Sequence, residues 1–137
     1  MPYRRAAWTA DDLLIQARAI LPHRPSPTEA LQAQENGSLL VDIRGDDQRH
    51  ADGLIPGAIV LPRNSLEWRC DHSSPWRHPA ITSREVRLIL VCHEGYQSSL
   101  AAATLQQLGL ANATDLDGGF TAWAAAGLPV TADAAGL

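Results

Sequence analysis

The sequence predicts an α/β domain with a mostly parallel sheet. Short apolar runs at residues 39–43, 59–61, 88–91 and 113–116 read as strands, and they alternate with segments of helical character. The chain has 137 residues, 45% of them hydrophobic and 19% charged, which is the balance of one globular domain with a real core. Helix starts are also marked by capping residues, so the alternation rests on more than hydrophobicity.

Residues 1–8 carry no pattern and read as a lead-in. The first helix opens at Thr9, with Asp12 three positions on as in a capping box. Leu13, Leu14, Ala17, Ile20 and Leu21 follow at helical spacing, and Pro22 ends the segment. Ser26-Pro27-Thr28-Glu29 is a second start: Ser26 caps, Pro27 takes the first helical position and Glu29 reaches back. Asn36-Gly37 closes that helix. The first strand follows and ends in Asp42-Ile43-Arg44. Residues 45–53 are a polar loop with a helical turn at 46–50. Ile55-Pro56-Gly57-Ala58 turns the chain into the second strand, and a brief helix spans residues 66–70.

Residues 71–82 hold Pro75, Pro79, two serines and two histidines and read as an irregular surface loop. Strand 88–91 and helix 98–108 come next, with Ser98 and Ser99 as capping candidates and Gly109 as the stop. Strand 113–116 leads through Asp117-Gly118-Gly119 to a last helix at 120–126. Residues 131–137 read as a tail, leaving 9–130 as the domain.

Composition excludes several functions. A formal net charge of -4 is unlike a nucleic-acid binder. All 11 positive side chains are arginines, so lysine Schiff bases and the lysine-dependent phosphate loop are absent. No apolar run is long enough to cross a bilayer, and the N-terminus lacks the order of a signal peptide, so the expected location is cytoplasmic. Two cysteines are too few for a disulfide framework. Cys70-x-His72 and Cys92-His93 lack zinc-ligand spacing; no metal and no cofactor is expected.

Chemistry is expected at Cys92. It stands at the carboxyl end of an apolar strand, where α/β sheets carry their sites, and a helix starts just beyond it. Loop and first-turn N–H groups, with the helix dipole, would stabilise a thiolate or an anion attached to it. Cys70, outside any motif, reads as an incidental surface or half-buried thiol. Trp68, Trp76 and Trp123 read as packing residues, with Trp76 the one placed to line a cleft.

Three landmarks in order resemble the rhodanese family: Leu40-Val41-Asp42-Ile43-Arg44; Gly53-Leu54-Ile55-Pro56-Gly57-Ala58, with Leu54 where histidine is usual; and Asp117-Gly118-Gly119-Phe120 through Trp123 to Gly127-Leu128-Pro129-Val130. The loop Cys92-His93-Glu94-Gly95-Tyr96-Gln97-Ser98 is similar to that family's Cys-x-x-Gly-x-Arg-Ser loop. The resemblance implies a mostly parallel five-stranded sheet with helices on both faces. It also implies a sulfurtransferase whose catalytic Cys92 carries sulfane sulfur as a persulfide from a small-molecule donor to a thiol or other acceptor. His93, Glu94, Gly95, Tyr96, Gln97 and Ser98 would contact substrate. Gln97 stands where arginine is usual and Glu94 adds an acid; Arg44 or Arg63, arriving from other strand ends, are the candidates to restore positive charge. Such a loop fits a thiol persulfide or organic donor better than thiosulfate. Residues 62–69 resemble a subgroup found beside or fused to thiol dioxygenases, which implies such an enzyme as a pathway partner. A cysteine phosphatase would need Arg six positions after Cys92, where Ser98 stands. The rival reading is a catalytically weak or silent rhodanese-like module that binds partners or senses sulfur species. Asp42 and Arg44 read first as a structural pair.

Overall fold

The computed structural model describes residues 7–133, so most of the expected lead-in and tail lies outside the described residues. Helix α1 (Ala10–Ile20) starts at the Thr9–Asp12 capping box, and α2 (Pro27–Glu35) starts at the Ser26–Glu29 box. Strand β1 (Leu39–Asp42) leads to α3 (Asp46–Asp52), which extends the expected helical turn, and then to β2 (Ile59–Val60). A 3-10 turn (Arg63–Ser65) runs into α4 (Leu66–Cys70). The irregular loop then delivers the chain to β3 (Leu88–Val91), α5 (Gln97–Gln107), β4 (Ala113–Asp115) and α6 (Gly119–Ala125). No helix among the described residues is long and apolar enough to cross a membrane.

Among the described residues the sheet has four parallel strands in the order β2-β1-β3-β4, not five. Within the same residues the C-terminal segment makes a single antiparallel bridge, Leu54 with Thr131. The next hydrogen-bonded pair in such a ladder would be Pro56 with Pro129. Neither proline has an N–H to donate, so the ladder stops after one pair.

Side-chain alternation along the strands divides the core into two layers. Val41, Ile43, Leu88, Leu90 and Cys92 pack with Ala101, Ala102 and Leu105 of α5 and with Leu66 and Cys70 of α4. Leu40, Ile89 and Val91 face the other way, toward Ala30 of α2 and Phe120 and Trp123 of α6. Helices thus cover both faces. Chain order reverses between β1 and β3, which opens a crevice at their carboxyl ends. Cys92 follows β3 directly and, by its place in the alternation, sits on the α5 side of that crevice.

The buried tryptophan is Trp123, whose indole N–H donates to the Pro129 carbonyl at 2.8 Å. Trp68 and Trp76 are exposed, so neither packs as expected.

Candidate active site

The loop from Cys92 to Gln97 is bent by Gly95, which has φ +89°, a value that L side chains rarely adopt. The bend brings two backbone donors onto the sulfur. The Gly95 N–H lies 3.1 Å from Cys92 Sγ and the Ser98 N–H 3.3 Å from it. Ser98 Oγ is also 3.2 Å from Sγ. Donors converging on a nearly buried sulfur, at the start of an 11-residue helix, form a cradle for negative charge.

A second layer fixes the loop from behind. The turn Gly118-Gly119 packs so closely that a Cβ at Gly119 would lie 2.7 Å from the Cys92 and His93 carbonyl oxygens and the Gly95 nitrogen. The Phe120 N–H donates to the Cys92 carbonyl at 2.9 Å and the Thr121 N–H to the His93 carbonyl at 3.0 Å. The amino end of α6 therefore clamps the cysteine loop through its carbonyls, leaving its amides free to face the sulfur.

A shallow cavity of about 240 Å³ opens beside the thiol, lined by Gln48, Cys92, His93, Glu94, Tyr96 and Gln97. Of the expected loop residues, His93, Glu94, Tyr96 and Gln97 border this cavity, while Gly95 and Ser98 meet the sulfur from within the loop. Gln48, brought from α3 across the crevice, had no sequence signal. His93 Nδ1 is out of solvent without a hydrogen bond, 3.8 Å from the Asp52 carboxylate. No group of three or more His, Cys, Asp or Glu among the described residues is placed to hold a metal ion.

The two arginines expected to restore charge do not border this cavity. Arg44 is fully buried in a two-pronged pair with Asp42, Nη2 at 2.8 Å and Nε at 3.0 Å, and the same Nη2 also donates to the Gly53 carbonyl at 2.7 Å. Its guanidinium also lies 3.9 Å from the centre of the Phe120 ring. Arg63 is held by Glu67 at 3.0 Å, one helical turn away. Both cations are spent on near neighbours in sequence, which reach them before any distant group can.

The cations near Cys92 come from elsewhere. Arg18 of α1 donates to the Gly95 carbonyl at 2.8 Å and to Ser99 Oγ at 3.1 Å. Arg24, between α1 and α2, donates to both oxygens of the buried Asp115 at 2.7 and 3.2 Å. Asp115 in turn accepts from Ser98 Oγ at 2.7 Å and Ser99 Oγ at 2.8 Å. These two serines do not cap α5 as expected; Tyr96 holds the cap position without a side-chain bond, and the hydroxyls turn inward to Asp115. Burial alone would lower the Arg24 pKa; the hydrogen bond and charge of Asp115, then the charges of Asp117 and Cys92, outweigh it and raise the value.

Fold and site together define a class: an α/β domain presenting a cysteine in an anion cradle at the switch point of a parallel sheet. The chain belongs to the rhodanese-like domain family, whose model matches residues 26–126. It is 36% identical over 100 residues to a protein named thiosulfate sulfurtransferase GlpE from Pseudomonas paraeruginosa, covering 73% of this chain and 82% of that one. A sulfurtransferase from Allochromatium vinosum is 37% identical over 94 residues, covering 69% and 78%. Among solved structures, a Rhodopseudomonas palustris protein of unknown function, described as a "possible tyrosine phosphatase", superposes with a TM-score of 0.82 at 30% identity, covering 96% of this chain and 99% of that one.

Proposed function

We propose that Cys92 is the sulfur carrier of a rhodanese-type sulfurtransferase, taking a sulfane sulfur from a small-molecule donor and passing it to a thiol. Family membership and the sulfurtransferase relatives support the reaction class. The observation that supports Cys92 as carrier is the convergence of the Gly95 and Ser98 amides on its sulfur. In the first step the Cys92 thiolate attacks the outer sulfur of the donor. A bond forms between the two sulfurs, the donor's bond to that sulfur breaks, and the leaving group departs with the electron pair, as sulfite when the donor is thiosulfate. In the second step an acceptor thiolate attacks the terminal persulfide sulfur and Cys92 leaves as thiolate. The cradle stabilises the anionic sulfur at both stages.

The cavity is bordered by Glu94 and Gln97, with no arginine among the described residues that line it. This favours a thiol persulfide or organic donor over dianionic thiosulfate. In this reading the enzyme works in the cytoplasm on small-molecule donors and thiol acceptors, with a thiol dioxygenase as a neighbour in the pathway. The phosphatase description attached to the Rhodopseudomonas palustris structure does not carry over, because Ser98 stands six residues after Cys92 where a cysteine phosphatase needs arginine.

The test is intact-mass analysis after incubation with thiosulfate, a low-molecular-weight persulfide or 3-mercaptopyruvate. An adduct of about 32 Da, one sulfur, is expected on the native protein and absent from Cys92→Ser. Gln97→Arg is expected to raise thiosulfate turnover more than persulfide turnover. No adduct with any donor would overturn the enzyme reading and leave the silent binding module.

A further inference from the structure

We propose that Arg24 and Asp115 form a buried charge pair that positions Ser98 against Cys92 and sets how readily Cys92 carries negative charge. This rests on Cys92 being the reactive thiol.

The geometry leaves Ser98 one proton and two acceptors. Ser98 Oγ lies 2.7 Å from Asp115 Oδ2 and 3.2 Å from Cys92 Sγ. While Cys92 is a thiol, its S–H donates to Ser98 Oγ and the Ser98 hydroxyl donates to Asp115. Once the thiol proton has left to solvent, or Sγ carries a second sulfur, Sγ has only lone pairs. The Ser98 hydroxyl then turns to donate to Sγ. Asp115 tolerates the loss because Ser99 Oγ, at 2.8 Å, and Arg24, at 2.7 Å, still satisfy it. Asp115 is therefore a positioning residue that acts through Ser98.

Charge is the second half of the argument. A carboxylate fully buried one serine away from a nucleophilic sulfur would by itself oppose a thiolate. Arg24, only 17% exposed at its side chain, cancels it. The other charged or titratable groups around the loop are His93, Glu94 and Tyr96 on it, Arg18 on α1 against the Tyr96 ring, Asp52 on α3 facing His93, and Asp117, which lies 3.4 Å from Arg24. Asp42 and Arg44, at the end of β1, pair with each other. Arg24 is thus the cation that faces the carboxylate behind Cys92. Both Arg18 and Arg24 precede residues 26–126, the segment matched by the family model, so this support comes from chain that the family pattern does not describe.

The test reads the pH dependence of Cys92 alkylation by iodoacetamide, which needs no sulfur donor. Asp115→Asn is expected to move the midpoint down by about one pH unit, because the buried negative charge is gone while Arg24 keeps its own, offset only by the exposed Asp117. Arg24→Gln is expected to move it up, and Arg24→Lys to stay near the native value. Because Arg24→Gln leaves a buried carboxylate unpaired and can fail to fold, the deciding comparison is Asp115→Asn against Asp115→Asn/Arg24→Gln. Adding the second substitution must raise the midpoint back toward the native one. A midpoint unmoved or raised by Asp115→Asn, or not reversed in the double variant, overturns the proposal. Opposite shifts without any sulfur adduct would keep the charge pair and remove the transfer reading.

Discussion

Cys92 and Cys70 invite comparison, because both are free, both are buried and both belong to the same apolar layer. Cys92 ends a strand, and the chain must turn there, so its sulfur meets the amides of Gly95 and Ser98. Cys70 ends the short helix α4 with its side chain among Leu66 and Ile81. Burial first, then the charge of Glu67, pushes the Cys70 thiol up to about 12, with Arg69 pulling weakly the other way. Two cysteines of similar burial thus meet different surroundings: backbone N–H groups reach the sulfur of Cys92, whereas Cys70 lies among apolar side chains. The lesson is that exposure alone does not mark a reactive thiol; what the backbone directs at the sulfur does.

The largest expected effect separates the two outright. Iodoacetamide under native conditions near pH 8 should add one label, lost in Cys92→Ser and kept in Cys70→Ala, as peptide mass mapping will show. Cys70→Ala should keep sulfur transfer while lowering stability by about 1–3 kcal/mol, the range for a small cavity in a core. Labelling of Cys70 in the folded protein would break the contrast.

A smaller effect probes the clamp that Cys70 lacks. Gly119→Ala places a Cβ against three backbone atoms of the cysteine loop at a φ of +64°. Displacing the loop should cost on the order of 100-fold in transfer rate, with a fall in melting temperature from about 1–3 kcal/mol of strain. Gly37→Ala is the control: its φ of +102° brings backbone strain, but nothing lies within 4 Å of the added Cβ. It should lower the melting temperature and leave transfer unchanged.

The smallest effect concerns the segment that carries Arg24 to the Cys92 side. The Ser26–Glu29 capping box begins α2 two residues after Arg24. The Ser26 backbone N–H, then His23 and the Ser26 hydroxyl, hold the Glu29 carboxyl below its ordinary value. A depressed carboxyl stabilises the fold above its unfolded-state pKa, and that contribution is lost as pH falls through the folded one. Glu29→Gln should therefore lower the melting temperature at about pH 6, and the difference should shrink by about pH 3. A difference independent of pH would count against an ionised cap.

Much of this was legible locally. The capping boxes at Thr9 and Ser26, the span of β3 and the helix after Cys92 all follow from short-range pattern. The Asp42–Arg44 pair was also readable, because the partners are two residues apart. The arrest of the Leu54–Thr131 pairing after one bridge follows from chemistry present in the sequence, but only the fold shows that Pro56 and Pro129 would have to face each other.

By itself, the sequence determined the α/β alternation, the helix starts and a cysteine loop at a strand end, because each depends on residues within a few positions. Only the tertiary structure decided which charges serve that loop. Arg24 and Asp115 are 91 residues apart, and no local pattern distinguishes either from an ordinary surface charge. Arg44 and Arg63 were the visible candidates, yet nearby carboxylates hold them. Packing α1 against α5 and threading the α1–α2 connection beside β4 brought Arg18 and Arg24 to the loop. Local propensity specifies where a thiol can turn toward amides; long-range packing specifies the charge it finds there.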